Sequence, residues 1–220
     1  MEFELSEEQN KVIEALKDKN NVICDSVAGS GKTTTILGIA KVFKDYNICM
    51  LTYNAKLKLE TRTRANEMKL NNIEVNSYHS FCCKHYLNNT STDEKIRYII
   101  DNNIDPKEPL TYTMLIIDEI QDMTPLYYEL VCKIAYDNNK SMLIVVTGDS
   151  HQSIYSFNLA DERYLIFADQ LFKFNKRNWI RTNLSISYRT TKPIAEFINK
   201  CVLHEDRIIS IKDSKYKPRY

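Results

Sequence analysis

DSVAGSGKTTT, residues 25–35, sits between the apolar run NVIC (21–24) and the run ILGIAKVF (36–43). A strand, a glycine-bearing turn and a helix in that order turn backbone N–H groups and the positive end of the helix dipole toward an anion. Gly29 and Gly31 let the backbone approach phosphate oxygens closely. Lys32 supplies a charge for the terminal phosphates, and the Thr33 hydroxyl suits Mg²⁺. Ala28, Ser30 and Thr34 complete the loop. The strict form of this pattern asks for glycine six residues before the lysine, where Ser26 stands. The mechanics survive the change, because Gly29, Gly31, Lys32 and Thr33 remain. An ordinary glycine turn is the competing reading.

Outward from this loop, short apolar runs alternate with helical stretches. NVICD (21–25), ICMLTY (48–53), IEVNSY (73–78), TMLIIDE (113–119) and SMLIVVTGD (141–149) read as strands. Residues 32–45 and 54–69 read as helices, helical stretches run on to about 103, and Leu126, Leu130 and Ile134 recur at helical spacing. This alternation predicts an α/β fold with a mostly parallel central sheet and helices on both faces. The polar interval 86–112 is the place for an insertion, and the tail KDSKYKPRY reads as frayed.

Composition narrows the partners. The net charge is +1, so any nucleic-acid surface must be a local patch rather than a property of the whole chain. No run approaches 18 apolar residues, and the acidic start MEFELSEEQN has no hydrophobic signal region, which sets the expectation of a soluble, intracellular protein. The six cysteines form no C-x-x-C pair and lie largely in apolar runs, as reduced, partly buried thiols do. His79, Cys82, Cys83 and His85 make a zinc alternative, weakened by the adjacency of the two cysteines.

A second site agrees with the loop. In LIIDEIQD a buried strand ends at Asp118-Glu119, and carboxylates at the carboxyl end of such a strand face the ligand crevice of open α/β sheets. Asp118 suits Mg²⁺ and Glu119 suits polarising an attacking water. Lys32 with Asp118 indicates an NTPase, and Glu119 favours hydrolysis over transfer to a substrate. A solvated acidic turn is the alternative for the carboxylates alone.

AGSGKT, DEIQD, TGDSHQSIYSF and SYRTT, in this order, resemble the UvrD/Rep-like superfamily 1 DNA helicases. The TTT after the loop lysine and the YNAKLK segment resemble the F-box DNA helicase branch in particular. The resemblance runs from about residue 5 to 199 and implies a RecA-like P-loop NTPase using ATP and Mg²⁺. It implies that Gln9, in LSEEQ, reads the adenine edge, and that Tyr188 stacks on the base. It implies that Gln152 senses the γ-phosphate and couples it to DNA, and that Arg189 touches the same phosphate. Lys32, Glu119, Gln152 and Arg189 would form the catalytic group.

For the polymer, Tyr53 and Asn54 resemble one contact segment and His79 and Ser80 the next, while Tyr155 and Phe157 match aromatics near bases. Lys56, Lys58, Arg62 and Arg64 would add local positive charge. Core packing and a solvated basic face are the alternatives. The implied partner is single-stranded DNA, with RNA left open, and the implied direction is 3′-to-5′.

A complete motor of this family has two RecA-like domains with ATP between them. The expected layout is therefore a first motor domain at 1–200, with a short insertion at about 82–112 and a tail or start of a second domain at 201–220. That second RecA-like domain would be supplied in cis or in trans. A nucleotide- and nucleic-acid-binding module without translocation stays open beside the motor reading. A P-loop kinase or GTPase is disfavoured, because no N-K-x-D segment is present and DEIQD with GDSHQSIY goes unexplained.

Overall fold

The computed structural model describes residues 4–138, 141–152 and 161–214. Helix α1 (Glu7–Lys17) opens on a capping box between Ser6 and Gln9 and buries Val12, Ile13 and Leu16. It leads to β1 (Asn21–Ser26), the phosphate-loop candidate, and α2 (Lys32–Val42). Then follow β2 (Ile48–Thr52), α3 (Ala55–Glu67), β3 (Ile73–Ser77), α4 (Tyr78–His85), α5 (Asp93–Asp101) and β4 (Met114–Asp118). A 3₁₀ turn at Ile120–Asp122, α6 (Pro125–Asp137), β5 (Leu143–Gly148), α7 (Arg163–Ile166), α8 (Ala168–Leu171) and β6 (Trp179–Leu184) complete the main body.

The six strands form one sheet in the order β3-β2-β4-β5-β1-β6, every neighbouring pair parallel. Strand alternation divides the core in two. Ile23, Cys49, Leu51, Leu115, Ile117, Ile144 and Val146 pack against α4, α5 and α6 on one face. Val22, Cys24, Ile48, Met50, Met114, Ile116 and Val145 meet α1 and α2 on the other. Central strands covered on both faces have no solvent side, which is why β2, β4 and β5 read as unbroken apolar runs. Cutting Ile116, fully buried, to alanine would cost about 2–5 kcal/mol.

A second, two-stranded parallel sheet pairs β7 (Ile186–Thr191) with β8 (Ile209–Lys212). Between them lie α9 (Lys192–Phe197) and a π-helical turn, Ile198–Leu203. Asn199 ties this turn to β8, its side chain bonding both the N–H and the carbonyl of Ile208 at 3.0 Å.

Because all six main strands run the same way, their carboxyl ends share one edge. Ser26, Thr52, Ser77, Asp118, Gly148 and Leu184 all finish there. Ser26, at the position where the strict loop pattern has glycine, is buried and donates from its hydroxyl to the Gly148 carbonyl at 2.7 Å. It ties β1 to β5 instead of lining the loop.

The possible zinc quartet disperses: Cys82 is buried in the core, His85 pairs with Glu74 at 2.8 Å, and His79 pairs with Asp93 at 3.0 Å. Among the described residues no helix is long and apolar enough to cross a membrane.

Candidate active site

The loop after β1 curls over the end of the sheet on two glycines with positive φ, Gly29 at 74° and Gly31 at 89°. Both are required. A Cβ on Gly29 would lie 2.5 Å from the Arg189 Cβ, and one on Gly31 would lie 2.8 Å from the Gln9 amide nitrogen. Strand β7 uses the first opening to dock along the loop. Tyr188 N–H donates to the Gly29 carbonyl at 3.0 Å, and the Ser187 hydroxyl donates to the Ala28 carbonyl at 2.8 Å.

A cleft of about 360 Å³ results, with Ala28 to Thr34 as its floor. Glu119 and Gln152 form one wall, Tyr188 and Arg189 another, and Leu57 and Arg64 of α3 reach in from the side.

Lys32 heads α2 and places its Nζ 2.9 Å from Glu119 Oε2. Burial pulls the ammonium pKa down, but the charges of Glu119, Asp118 and Asp149 outweigh it and hold it above the ordinary lysine value. The lysine is therefore a fixed cation at the mouth of the helix dipole.

Asp118 is buried at the end of β4. One carboxylate oxygen accepts the Glu119 N–H at 3.0 Å, while Oδ2 is buried without a hydrogen-bond partner. Burial, reinforced by the Glu119 charge, raises its pKa. A buried carboxylate oxygen left over next to Glu119 is what a hard cation would satisfy; Asp118 itself lies beneath the cleft lining, while Thr33 lines the cleft with Glu119. The residues present thus fit Mg²⁺. Glu119 adopts a left-handed backbone, φ 52°, which breaks the strand and turns the next residues across the sheet end.

Gln121 and Asp149 then stitch the walls together. Gln121 donates to Glu119 Oε2 at 2.9 Å and accepts the Asp149 N–H at 3.1 Å. Gly148 makes room for it, since a Cβ there would lie 2.3 Å from Gln121 Oε1. Asp149 Oδ2 accepts from Gln152 Nε2 at 2.7 Å.

A family profile described as an AAA domain matches residues 9–158. The chain belongs to this AAA domain family. The chain is also 23% identical over 184 residues to one component of the ATP-dependent helicase/nuclease of Pediococcus pentosaceus, a match covering 83% of the chain and 14% of the relative. It is 31% identical over 132 residues to the RecB component of the RecBCD enzyme of Buchnera aphidicola, covering 60% and 10%. The chain thus spans only a small part of these relatives.

Its fold resembles the Pif1 helicase of Candida albicans, with a TM-score of 0.54 at 19% identity, covering 83% of this chain and 40% of that one. It also resembles unliganded Pif1 from Bacteroides sp, with a TM-score of 0.52 at 20% identity, covering 90% and 45%. At these identities the likeness is one of fold.

Most of the nucleotide set read from the sequence meets in the phosphate cleft: Ala28, Gly29, Ser30, Gly31, Lys32, Thr33, Thr34, Glu119, Gln152, Tyr188 and Arg189. Gln9 lies directly behind it, buried, its amide donating to the Gly31 carbonyl at 3.3 Å and accepting the Ser6 N–H at 2.9 Å.

The polymer candidates divide. Tyr53 and Asn54 line a second groove, of about 540 Å³, with Lys56, Gln121 and Asp122. That groove and the phosphate cleft share Leu57, Glu119 and Gln152. Asn54 also caps α3, accepting the Lys56 and Leu57 N–H groups. His79 stands edge-on to the Tyr127 ring at 6.1 Å, and Tyr53 lies 5.9 Å from it, so one aromatic cluster holds both. Ser80 completes the cap of α4 with Ser77. Tyr155 and Phe157 fall outside the described residues.

Two cations expected on the polymer side turn elsewhere. Arg62 braces α3 on β3 through the Val75 carbonyl at 2.6 Å and Asn76 at 2.8 Å. Arg64 reaches the phosphate cleft and donates to the Thr34 hydroxyl at 3.1 Å. Sequence reasoning placed Arg64 on the polymer side and not at the phosphates, and it missed Gln121 and Tyr127. The one available signal was the glutamine inside DEIQD, two residues past the catalytic carboxylate candidate.

Proposed function

We propose that this chain is the ATP-binding and hydrolysing first motor domain of a superfamily 1 DNA helicase, a 3′-to-5′ translocase on single-stranded DNA. One observation carries the reading: the phosphate cleft and the Tyr53 groove share Glu119 and Gln152, so a group that meets the terminal phosphate also borders the polymer side. The relatives named as part of an ATP-dependent helicase/nuclease and as part of the RecBCD enzyme support it. So does the structural neighbour described as Bacteroides Pif1 bound to ssDNA.

In this reading the loop N–H groups and Lys32 bind the phosphates, and Glu119 orients the attacking water and accepts its proton. Gln152 and Arg189 contact the γ-phosphate, a guanidinium being shaped for two phosphate oxygens. Gln9 and Tyr188 serve the adenine. Thr33 and Asp118 would hold Mg²⁺, which neutralises phosphate charge when bound. Tyr53, Asn54, His79 and Ser80 face the strand, with aromatic stacking that tolerates any base sequence. RNA shares that chemistry.

Residues 1–200 are the motor domain and about 82–112 its short insertion. The 201–220 stretch is a tail or the start of a second RecA-like domain; such a domain, supplied in cis or in trans, would complete the shell around the γ-phosphate. The protein acts in an intracellular compartment.

The test is ATP hydrolysis with and without single-stranded DNA, for wild type and Lys32→Ala. Slow hydrolysis that DNA stimulates and Lys32→Ala abolishes is expected, with no strand separation by the 220-residue chain alone. Hydrolysis indifferent to Lys32, or robust unwinding by this chain, would refute the reading.

A further inference from the structure

Arg207 has no part in the chemistry above, yet its side chain is only 14% exposed and sits among two carboxylates. Its guanidinium lies 2.8 Å from Asp25 Oδ1 and 2.7 Å from Asp149 Oδ1, and donates to the Ser150 hydroxyl at 3.1 Å. Asp149, its own side chain 5% exposed, uses its other oxygen to accept from Gln152 Nε2 at 2.7 Å. Asp25 fixes the same loop from below, accepting the Ser150 N–H at 3.1 Å and the Ser150 hydroxyl at 2.8 Å.

We propose that Arg207 is a positioning residue for Gln152, acting through Asp149. The two oxygens of one carboxylate face opposite ways, one to the arginine and one to the glutamine. Asp149 therefore cannot swing out of Gln152's reach without breaking a charge-assisted bond. Gln152 is exposed and has several rotamers, so this anchor, its one side-chain hydrogen bond among the described residues, favours the rotamer that lies along the phosphate cleft.

The origin of Arg207 matters as much as its contacts. It leaves the segment just before β8, and β8 pairs with β7, which carries Tyr188 and Arg189. The segment thus holds one γ-phosphate candidate, Gln152 through Asp149, and continues into β8, which pairs with β7 at Ile186, Ser187 and Thr191 on either side of Arg189. The inference rests on the proposed γ-phosphate role of Gln152.

The experiment compares the affinities of labelled ADP and a labelled non-hydrolysable ATP analogue for wild type, Gln152→Ala, Arg207→Lys and the double variant. Lysine keeps the charge but lacks the fork that bridges Asp25 and Asp149. Arg207→Lys is expected to cut the preference for the ATP analogue over ADP by roughly tenfold, the scale of a lost charge-assisted hydrogen bond. The ADP affinity should stay within about twofold, and the double variant should lose no more preference than Gln152→Ala alone.

A folded Arg207→Lys protein that keeps its preference, or losses that multiply in the double variant, would overturn the inference. If Arg207→Lys does not fold, Asp149→Asn probes the same link and must show the same selective loss, and unchanged preference there overturns it equally. A wild-type chain that binds neither nucleotide through Lys32 would overturn the functional reading first, and this inference with it.

Discussion

Lys32 Nζ lies 2.9 Å from Glu119 Oε2, so the cation proposed to bind the phosphates is held by the carboxylate proposed to orient the water. An incoming phosphate competes with Glu119 for Lys32. Binding would therefore free the carboxylate as it engages the lysine, and the two halves of the site are linked before any chemistry occurs.

Glu119→Gln should separate binding from turnover. The amide keeps the shape of the site and removes both the base and one unit of negative charge. ATP affinity should hold or rise, and hydrolysis should fall by at least about 100-fold, the scale of a lost general base. Titration and single-turnover hydrolysis of the same preparation check it.

Gly29→Ala should unlatch β7 from the phosphate loop. The left-handed backbone costs about 1–2 kcal/mol for a residue with a Cβ. Crowding against the Arg189 Cβ, only 2.5 Å away, adds about 1–3 kcal/mol. Ser30→Ala is the matched control, because the Ser30 hydroxyl is buried without a partner and its loss should be neutral or slightly stabilising. Urea unfolding of the two variants reports the difference.

Acid should weaken the fold through Glu74. Burial alone would raise this carboxyl, but hydrogen bonds from His85 and Lys84 outweigh it and hold its pKa at about 2, against 4.5 for an ordinary glutamate. The unfolded state then binds the proton first, so the contribution is present above about 4.5 and is lost as the pH falls toward 2. Solvent around the half-buried group trims its size. The urea midpoint should fall across that window in wild type and fall less in Glu74→Gln.

Tyr53→Ala should weaken single-strand binding without touching nucleotide affinity. Loss of one stacking ring costs about 1–3 kcal/mol, or roughly 5- to 150-fold. Tyr53 is 40% exposed, so its removal leaves the core intact. Fluorescence anisotropy with a labelled oligonucleotide, in parallel with an ATP-analogue titration, distinguishes the two effects.

The core of the fold was legible because its strands are covered on both faces: β1, β2, β4 and β5 are continuous apolar runs, and β3 follows a clear helix. Strands β6, β7 and β8 were not found. β6 lies at the sheet edge with Ile180, Arg181 and Asn183 exposed, so its apolar signal is diluted. The motif residues of the phosphate cleft were legible, since loop chemistry depends on residue type and close spacing. The residues that hold them were not. Gln121, Asp149 and Arg207 are joined by hydrogen bonds across separations that no local pattern encodes. Arg62 and Arg64 are two residues apart on one helix, yet one braces β3 and the other enters the phosphate cleft.

The most direct test of the central claim is a titration of a fluorescent ATP analogue, with Mg²⁺, into wild type and Lys32→Ala. The account predicts saturable binding that the substitution weakens by at least about tenfold, the value of a charge-assisted contact to phosphate. Equal affinity in the two proteins would contradict it, because the glycine loop would then not be the nucleotide site.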